Sequence, residues 1–506
     1  MHRRLAAAHI LLLCSIGAAC NTERILEQAT PFTIAPRNSL VQEGMLVQLE
    51  AYLATDASVN ADPMVWSSSN ASVAEVDSKG MVTALSAGVV TIRAMSGTVV
   101  DSTLVTVTSA DKGSLVAFGR TTCGATTTAG EVCWGENRYG QTGTRIPNEI
   151  VFVPTPVPAA VTWRSLDGGW NHACGVDTLY DIYCWGLNNF GQLGMGTFSD
   201  PVLPSRKVET DKKFVVVSAG GIDWQTRFDG DVYSAQLTCG LSRTGEVYCW
   251  GSPGNLFTTG EQPSSVPKRV APGLLFASIS VGNAYACGVT IDRRGYCWGN
   301  NDLGQLGRAQ SSLDRAPREI EGNLRFEQIS AGGIHACGTT VNGDAYCWGA
   351  NESLQLGAST TGKCLFRGVE TSCQTRPVAV AGGFKFKSVQ ASDWGSPEAV
   401  TAFELTLRGH SCGLTPEQDI VCWGNNESGR IKRRLDFTEP FSLAPVKLPF
   451  LEKFRTLAVG ESHTCAVLVN GGQVWCWGDG TRGQRGIPQG TFAIDFAAVA
   501  GAFVYK

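Results

Sequence analysis

Basic charge is scarce in this chain. Its 506 residues hold 41 Lys and Arg against 45 Asp and Glu, a net charge of −4. The longest basic run is Lys432-Arg433-Arg434. Nucleic-acid binding draws on a basic face that displaces counterions, so this balance speaks against a nucleic-acid partner. Histidine is scarce as well: of six, only His172, His335, His410 and His463 lie beyond residue 20. No Gly-x-Ser-x-Gly, P-loop or His-Glu-x-x-His occurs, which removes the local signatures of serine hydrolases, phosphate-cradling loops and zincins. After the first 20 residues no apolar run reaches the length of a membrane-spanning helix. No long helical periodicity appears there either.

What is plentiful is glycine, at 59 residues, with apolar content of 43% and aromatics at 9%. That mix suits many short strands joined by tight turns, and an all-β chain is expected. The N-terminus MHRRLAAAHILLLCSIGAAC reads as a signal peptide: Arg3 and Arg4, then an apolar stretch from Leu5 to Ile16 too short to span a bilayer. Gly17-Ala18-Ala19-Cys20 resembles a bacterial lipobox, although Gly17 stands where Leu, Val or Ile is usual. The resemblance implies removal of residues 1–19, lipidation of Cys20 and a tether over 20–30. The membrane would then be reached only through that lipid. The alternative is plain secretion with Cys20 as an odd thiol. In either case the expected location is the bacterial cell envelope or the medium.

Residues 31–108 contain no cysteine. They alternate apolar and polar with Gly turns at Lys79-Gly80, Ala87-Gly88 and Ser96-Gly97, the pattern of a small β-sandwich. The phrases VQLEAYLATDA, VWSSSNASVAEVDSKGMVTALSAGVVTIRA and STLVTVT resemble the bacterial Ig-like domain of group 2. The resemblance implies a spacer or adhesive module with Trp66 packed between the sheets.

From 114 to 506 the chain repeats itself. Trp-Gly pairs begin at Trp134, Trp185, Trp250, Trp298, Trp348, Trp423 and Trp477, at a period of about 50 residues that marks a propeller or solenoid. Each unit has a strand ending in Ala/Val-Gly, a second holding one Cys, a third ending in Cys-Trp-Gly, and a fourth with Pro. Four strands per unit and seven units make a seven-bladed β-propeller. The repeats resemble those of the regulator of chromosome condensation family, whose fold is that propeller. The terminal FAAVAGAFVYK is expected to begin another repeat and pair with blade one.

Eighteen cysteines are present. Cys14 leaves with the signal peptide and Cys20 takes lipid. Fourteen pair within repeats: Cys123 with Cys133, Cys174 with Cys184, Cys239 with Cys249, Cys287 with Cys297, Cys337 with Cys347, Cys412 with Cys422, and Cys465 with Cys476. Cys364 and Cys373 share one loop. In an exported chain this arithmetic favours disulfides over zinc, for which the ten-residue spacing is wrong. The four late histidines each stand two before the first Cys of a repeat, so they read as structural hydrogen-bonders. No metal or cofactor is expected.

In a four-stranded meander, loops 1–2 and 3–4 emerge on one face. Blade three is lengthened in loop 1–2 (221–236), blade six in loop 1–2 (392–409), and blade five in loop 3–4 (358–376). All three insertions fall on one face, which is how a rigid ring builds a binding surface. Asp223, Trp224, Phe228, Tyr233, Asp393, Trp394 and Phe403 are the candidate contact residues, aromatics being favoured at interface hot spots. The expected function is non-enzymatic binding of a protein partner, with no catalytic residues. The alternative is a glycan ligand or an enzyme acting on polysaccharide. Guanine-nucleotide exchange, known in the family, is opposed by export, disulfides and acidic charge.

Overall fold

The computed structural model describes residues 32–505, except 54–63, 109–114, 128–129, 145–148, 159–160, 229–230, 253–262, 310–312, 367, 394–407, 432–440, 490–495 and 502. The signal peptide, Cys20 and the tether therefore lie outside the described residues. Among the described residues every regular element but one short 3-10 turn at Glu427–Gly429 is a strand.

Residues 32–108 form a β-sandwich. One sheet orders Ser39–Gln42, Val99–Thr108, Gly88–Ser96 and Val65–Ser68; a second orders Leu46–Gln48, Met81–Ala84 and Ala74–Val76; and Phe32–Ala35 pairs with Glu50–Leu53. Alternation delivers Val41, Val47, Val82, Ile92 and Val105 to a core that is nearly dry. Trp66 is half-buried, its ring lying against Gly80.

Residues 115–498 form seven antiparallel sheets among the described residues, each with its strands in sequence order except for one added hairpin in blade five. They span 115–156, 163–207, 214–270, 276–319, 326–379, 388–447 and 454–498. The inner strand of each lies beside that of the next, and the inner strand of blade seven lies against that of blade one. The ring is closed.

The Cys-Trp-Gly phrase sits at a β-bulge. Between Cys133 and Gly135 the third strand slips register against the outer strand, and six of the seven blades repeat the slip at this place. The bulge demands positive φ at the glycine: φ is 113° at Gly135, where a Cβ would stand 2.3 Å from the Arg120 carbonyl. It also turns the tryptophan toward the preceding blade. Trp134, Trp185, Trp250, Trp348 and Trp423 donate Nε1–H to the carbonyls of Gln484, Gln141, Gln192, Gln305 and Gln355, at 2.9–3.0 Å. Trp477 does the same to Arg430. The Gln-containing loop and the Trp-Gly are thus two halves of one inter-blade joint.

The cysteines face each other across adjacent strands. Seven in-repeat disulfides each hold Cα atoms 4.1 Å apart. An eighth, Cys364–Cys373, staples the hairpin formed by Lys363–Phe366 and Val369–Ala379 in blade five.

The C-terminal strand departs from expectation. Ala497–Ala498 does not open a new repeat; it pairs with Val474–Gly478 as the outer strand of blade seven. Among the described residues, the last ones then reach blade one by the bridge of Tyr505 to Thr126, with Thr127 N–H donating to the Val504 carbonyl. The third strand of blade seven would otherwise be left an open edge, and the tail meets that need first.

The sandwich is not a loose spacer. Its turn at Glu43 and Gly44 docks on the ends of blades two to four. Leu40 N–H donates to Ile291 O at 2.8 Å and Leu46 N–H to Arg243 O at 2.6 Å. Tyr180 is held between the Arg164 and Arg243 guanidiniums, 4.9 and 4.5 Å from its ring centre, and Arg243 Nε donates to Gly44 O at 2.8 Å. Tyr180, Arg243 and Ile291 all lie in 2–3 loops. The sandwich therefore covers the face opposite the insertions.

Candidate functional site

The insertion-bearing face is built on a throat of glycines. Inner strands close on Gly119, Gly169, Gly220, Gly282, Gly332, Ser392 and Gly460. A Cβ added at Gly220 would lie 2.5 Å from Gly282 O, at Gly282 2.1 Å from Gly332 O, and at Gly332 2.4 Å from Ser392 O. These glycines serve close approach of neighbouring backbones, a second role beyond turns. Just before the throat, side chains stitch the inner strands. Ser218, Ser280 and Ser330 accept the N–H of Val281, Ala331 and Ala391, and Asp167 accepts that of Ala219. Divergent inner strands cannot pair directly, and these oxygens satisfy their edge N–H groups.

The four histidines lie behind the throat, fully buried. Each reaches the next blade: His172 Nε2 is 2.8 Å from Thr238 Oγ1, His335 2.9 Å from Ser411 Oγ, His410 2.9 Å from Thr464 Oγ1, and His463 2.7 Å from Thr122 Oγ1. Thr238, Ser411 and Thr122 give their own hydrogens to the carbonyls of Gln192, Gln355 and Gln484. Those hydroxyls must accept from histidine, which assigns the neutral Nε2–H tautomer. Burial holds His172 down to about 4 and His335 and His463 to about 3. Among the described residues no three His, Cys, Asp or Glu side chains gather as a metal site.

The residue following each throat position stands at the channel mouth: Arg120, Trp170, Gly221, Asn283, Gly333, Asp393 and Glu461. Arg120 grips Glu461 with two contacts, at 2.9 and 3.3 Å, and lies 6.0 Å from the Trp170 ring. Burial raises Glu461 against that pairing. Asp393 reaches past blade seven to accept the Gly119 N–H of blade one at 2.8 Å. Burial pushes its carboxyl up to about 7, and the carboxylates of Asp167 and Glu461 add to this. A shallow open pocket at the junction of blades seven and one is lined by Glu136, Arg138, Glu149, Ile150 and Arg482.

The sequence-derived contact residues divide. The blade-three insertion is an antiparallel ribbon continuing the first two strands of the blade, with Asp223 opposite Ser234, Trp224 opposite Tyr233 and Phe228 opposite Asp231. Asp393 begins the blade-six insertion at the mouth. Trp394 and Phe403 lie outside the described residues. The blade-five hairpin exposes Leu365 and Val369 near its tip. Arg120, Trp170, Asn283 and Glu461 were not anticipated, although their common place after the inner-strand glycine is legible in the repeats.

Comparison with known proteins decides the family. Residues 28–107 match the bacterial Ig-like domain (group 2). Residues 181–221, 294–338, 326–355 and 454–484 match regulator of chromosome condensation (RCC1) repeats. The chain is a group 2 Ig-like domain followed by an RCC1-repeat propeller. It is 29% identical over 198 residues to the ultraviolet-B receptor UVR8 of Arabidopsis thaliana, covering 38% of this chain and 42% of that one. It is 25% identical over 373 residues to the mitochondrial RCC1 domain-containing protein RUG3 of the same plant, covering 70% and 62%. It thus spans less than two thirds of either relative. Among solved structures, human WBSCR16 superposes with a TM-score of 0.59 at 18% identity, over 73% of this chain and 94% of that one. Prp20p of Saccharomyces cerevisiae gives 0.56 at 22%, over 73% and 85%. At these identities the RCC1-repeat likeness carries the fold alone.

Proposed function

We propose that this protein is a non-enzymatic binding protein of the bacterial cell envelope, and that the insertion-bearing face of its propeller engages a protein partner. One observation carries the reading: the Ig-like domain docks on the 2–3 loops, so it covers the plain face and leaves the elaborated one open. With lipidation at Cys20, the Ig-like domain becomes a plinth that turns the binding face away from the membrane. The solved relative Prp20p was studied for binding to Gsp1p and histones, which supports protein targets as a class.

The polysaccharide-acting alternative would use the acids around the throat and its mouth. Two are already engaged: Glu461 is bound by Arg120, and Asp167 accepts the Gly168 and Ala219 N–H groups. A crosslinking capture from native envelopes, with the intact chain beside one lacking 223–234 and 394–407, tests the proposal. A protein enriched only by the intact chain supports it. Equal enrichment by both, with the shortened ring folded, rejects this face.

A further inference from the structure

Asp393 is an acid without a counter-ion. Its Oδ2 accepts the Gly119 N–H. Its Oδ1 has no hydrogen-bond or ion-pair partner among the described residues. The charged groups acting on it are Asp167 and Glu461, both acidic, and the nearby Arg120 is taken by Glu461. Tyr285 of blade four also feels its charge, while donating its own O–H to the His335 carbonyl at 2.8 Å. A partly buried carboxylate in the field of two others, with no cation in hydrogen-bond reach among the described residues, favours the arrival of a cation that can pair with it.

A second, separate observation marks the same rung of the ring. Asn283 stands at the equivalent position in blade four and is only 7% exposed, yet neither its amide nitrogen nor its amide oxygen has a hydrogen-bond partner. Between blades four and six the rung residue is Gly333, which has no side chain to fill the space. The rung residue of blade three is Gly221. Insertions rise from this rung in blades three and six.

We infer that this channel mouth receives an organic cation, the ammonium or guanidinium of a lysine or arginine on the protein partner, with Asp393 as counter-ion and Asn283 as a second hydrogen-bonding group. The inference rests on the protein-binding reading above and names what that face takes. Metal is the weaker occupant, since no three His, Cys, Asp or Glu side chains gather here among the described residues.

The test needs no identified partner. Agmatine and n-butylamine are titrated calorimetrically into the full chain at pH 8, with n-butanol as the uncharged control. Saturable binding of both cations and not of the alcohol is expected. It should weaken about tenfold or more in Asp393→Asn, a variant that keeps an acceptor for the Gly119 N–H, and several-fold in Asn283→Ala. Affinity should fall between pH 8 and pH 6 as Asp393 takes a proton. Thermal melts of both variants check that the ring is intact. No saturation by the wild type up to roughly 100 mM probe, or equal affinity in Asp393→Asn, overturns the inference. Equal displacement by Ca²⁺ assigns the mouth to a metal instead. Capture of a partner without cation binding would uphold the protein-binding reading and reject this one; cation binding without a captured partner would do the reverse.

Discussion

His463 Nε2 stands 2.7 Å from the Thr122 hydroxyl, and this pair joins the last blade to the first. Strand exchange adds little to closure here: among the described residues the tail meets blade one through the Tyr505–Thr126 bridge and the Thr127 N–H to Val504 O bond. Side chains such as the His463–Thr122 pair, Trp134 on Gln484 O and Arg120 on Glu461 join the ends of the ring together with the Glu461 N–H to Gly119 O backbone bond. His463→Ala and Thr122→Ala should each lower the urea midpoint, by roughly 1–3 kcal/mol in stability, because each leaves a buried polar group unpaired. The double variant should cost less than the sum, with a coupling of about 1 kcal/mol. Strict additivity in the cycle would show that the hydrogen bond contributes nothing to closure.

The same histidines set a pH dependence. In the folded ring they bind a proton only near pH 3–4 for His172, His335 and His463, against 6.5 when free. The unfolded chain therefore takes up protons first, and stability drains away as pH falls from 6.5 toward 4. Each histidine contributes a slope of about 1.4 kcal/mol per pH unit in that window. Asp393 acts in the opposite sense: its raised carboxyl costs stability as pH rises from about 4 to 7. The histidines outnumber the two raised acids, Asp393 and Glu461, and leave a net acid loss. Urea midpoints at pH 7, 6 and 5 should fall in order, less steeply in His335→Gln and more steeply in Asp393→Asn. A flat profile would mean the histidines are protonated in the fold.

Much of this was legible before any coordinates, and one part was legible but overlooked. Trp-Gly, paired cysteines and the Gly-Gln loops announce the repeats because each blade solves the same bulge and joint. The partner of each histidine is also written in the sequence, one repeat further on. The residue before the first Cys is Thr238, Ser411, Thr464 or Thr122 where the preceding repeat carries His, and Ala173, Ala286 or Ala336 where it carries Thr121, Leu237 or Tyr285. Taken within its own repeat, a histidine looks merely structural; taken across repeats, it specifies a bond. The docking of Gly44 on Tyr180 was not legible, since it depends on how two surfaces meet rather than on any periodicity. Nor was the reach of Asp393 to Gly119, which skips a whole blade.

The indole joint makes a separate prediction. Trp348→Phe keeps most of the buried ring but removes the Nε1–H donor to Gln305 O, 2.9 Å away. The carbonyl is left buried, so a loss of about 1–3 kcal/mol is expected, beyond a small packing term. Because Trp348 bridges blades four and five, hydrogen exchange should quicken at that junction and not at the junction of blades one and two. Uniform acceleration around the ring would show that the joints act as one cooperative unit and not locally.

Docking of the Ig-like domain turns on Gly44. Its φ is +89°, and a Cβ there would stand 2.8 Å from Tyr180 Cε1. Gly44→Val should therefore be doubly disfavoured, by backbone conformation and by collision with a ring clamped between two guanidiniums. The turn must back away, breaking the Arg243 bond to Gly44 O. Gly44 is not itself part of the apolar cluster that runs from the sandwich into the propeller, so the domain should loosen on the ring without unfolding. Small-angle scattering should report a larger radius of gyration, and calorimetry should resolve a separate transition for the sandwich. Arg243→Ala, which removes one side of the clamp and the same hydrogen bond without forcing the backbone, should give a smaller shift in the same direction. If both variants scatter like the wild type, the contact at Gly44 is incidental, and the seating of the sandwich on the 2–3 loops must be held elsewhere, at the Leu40 and Leu46 backbone bonds.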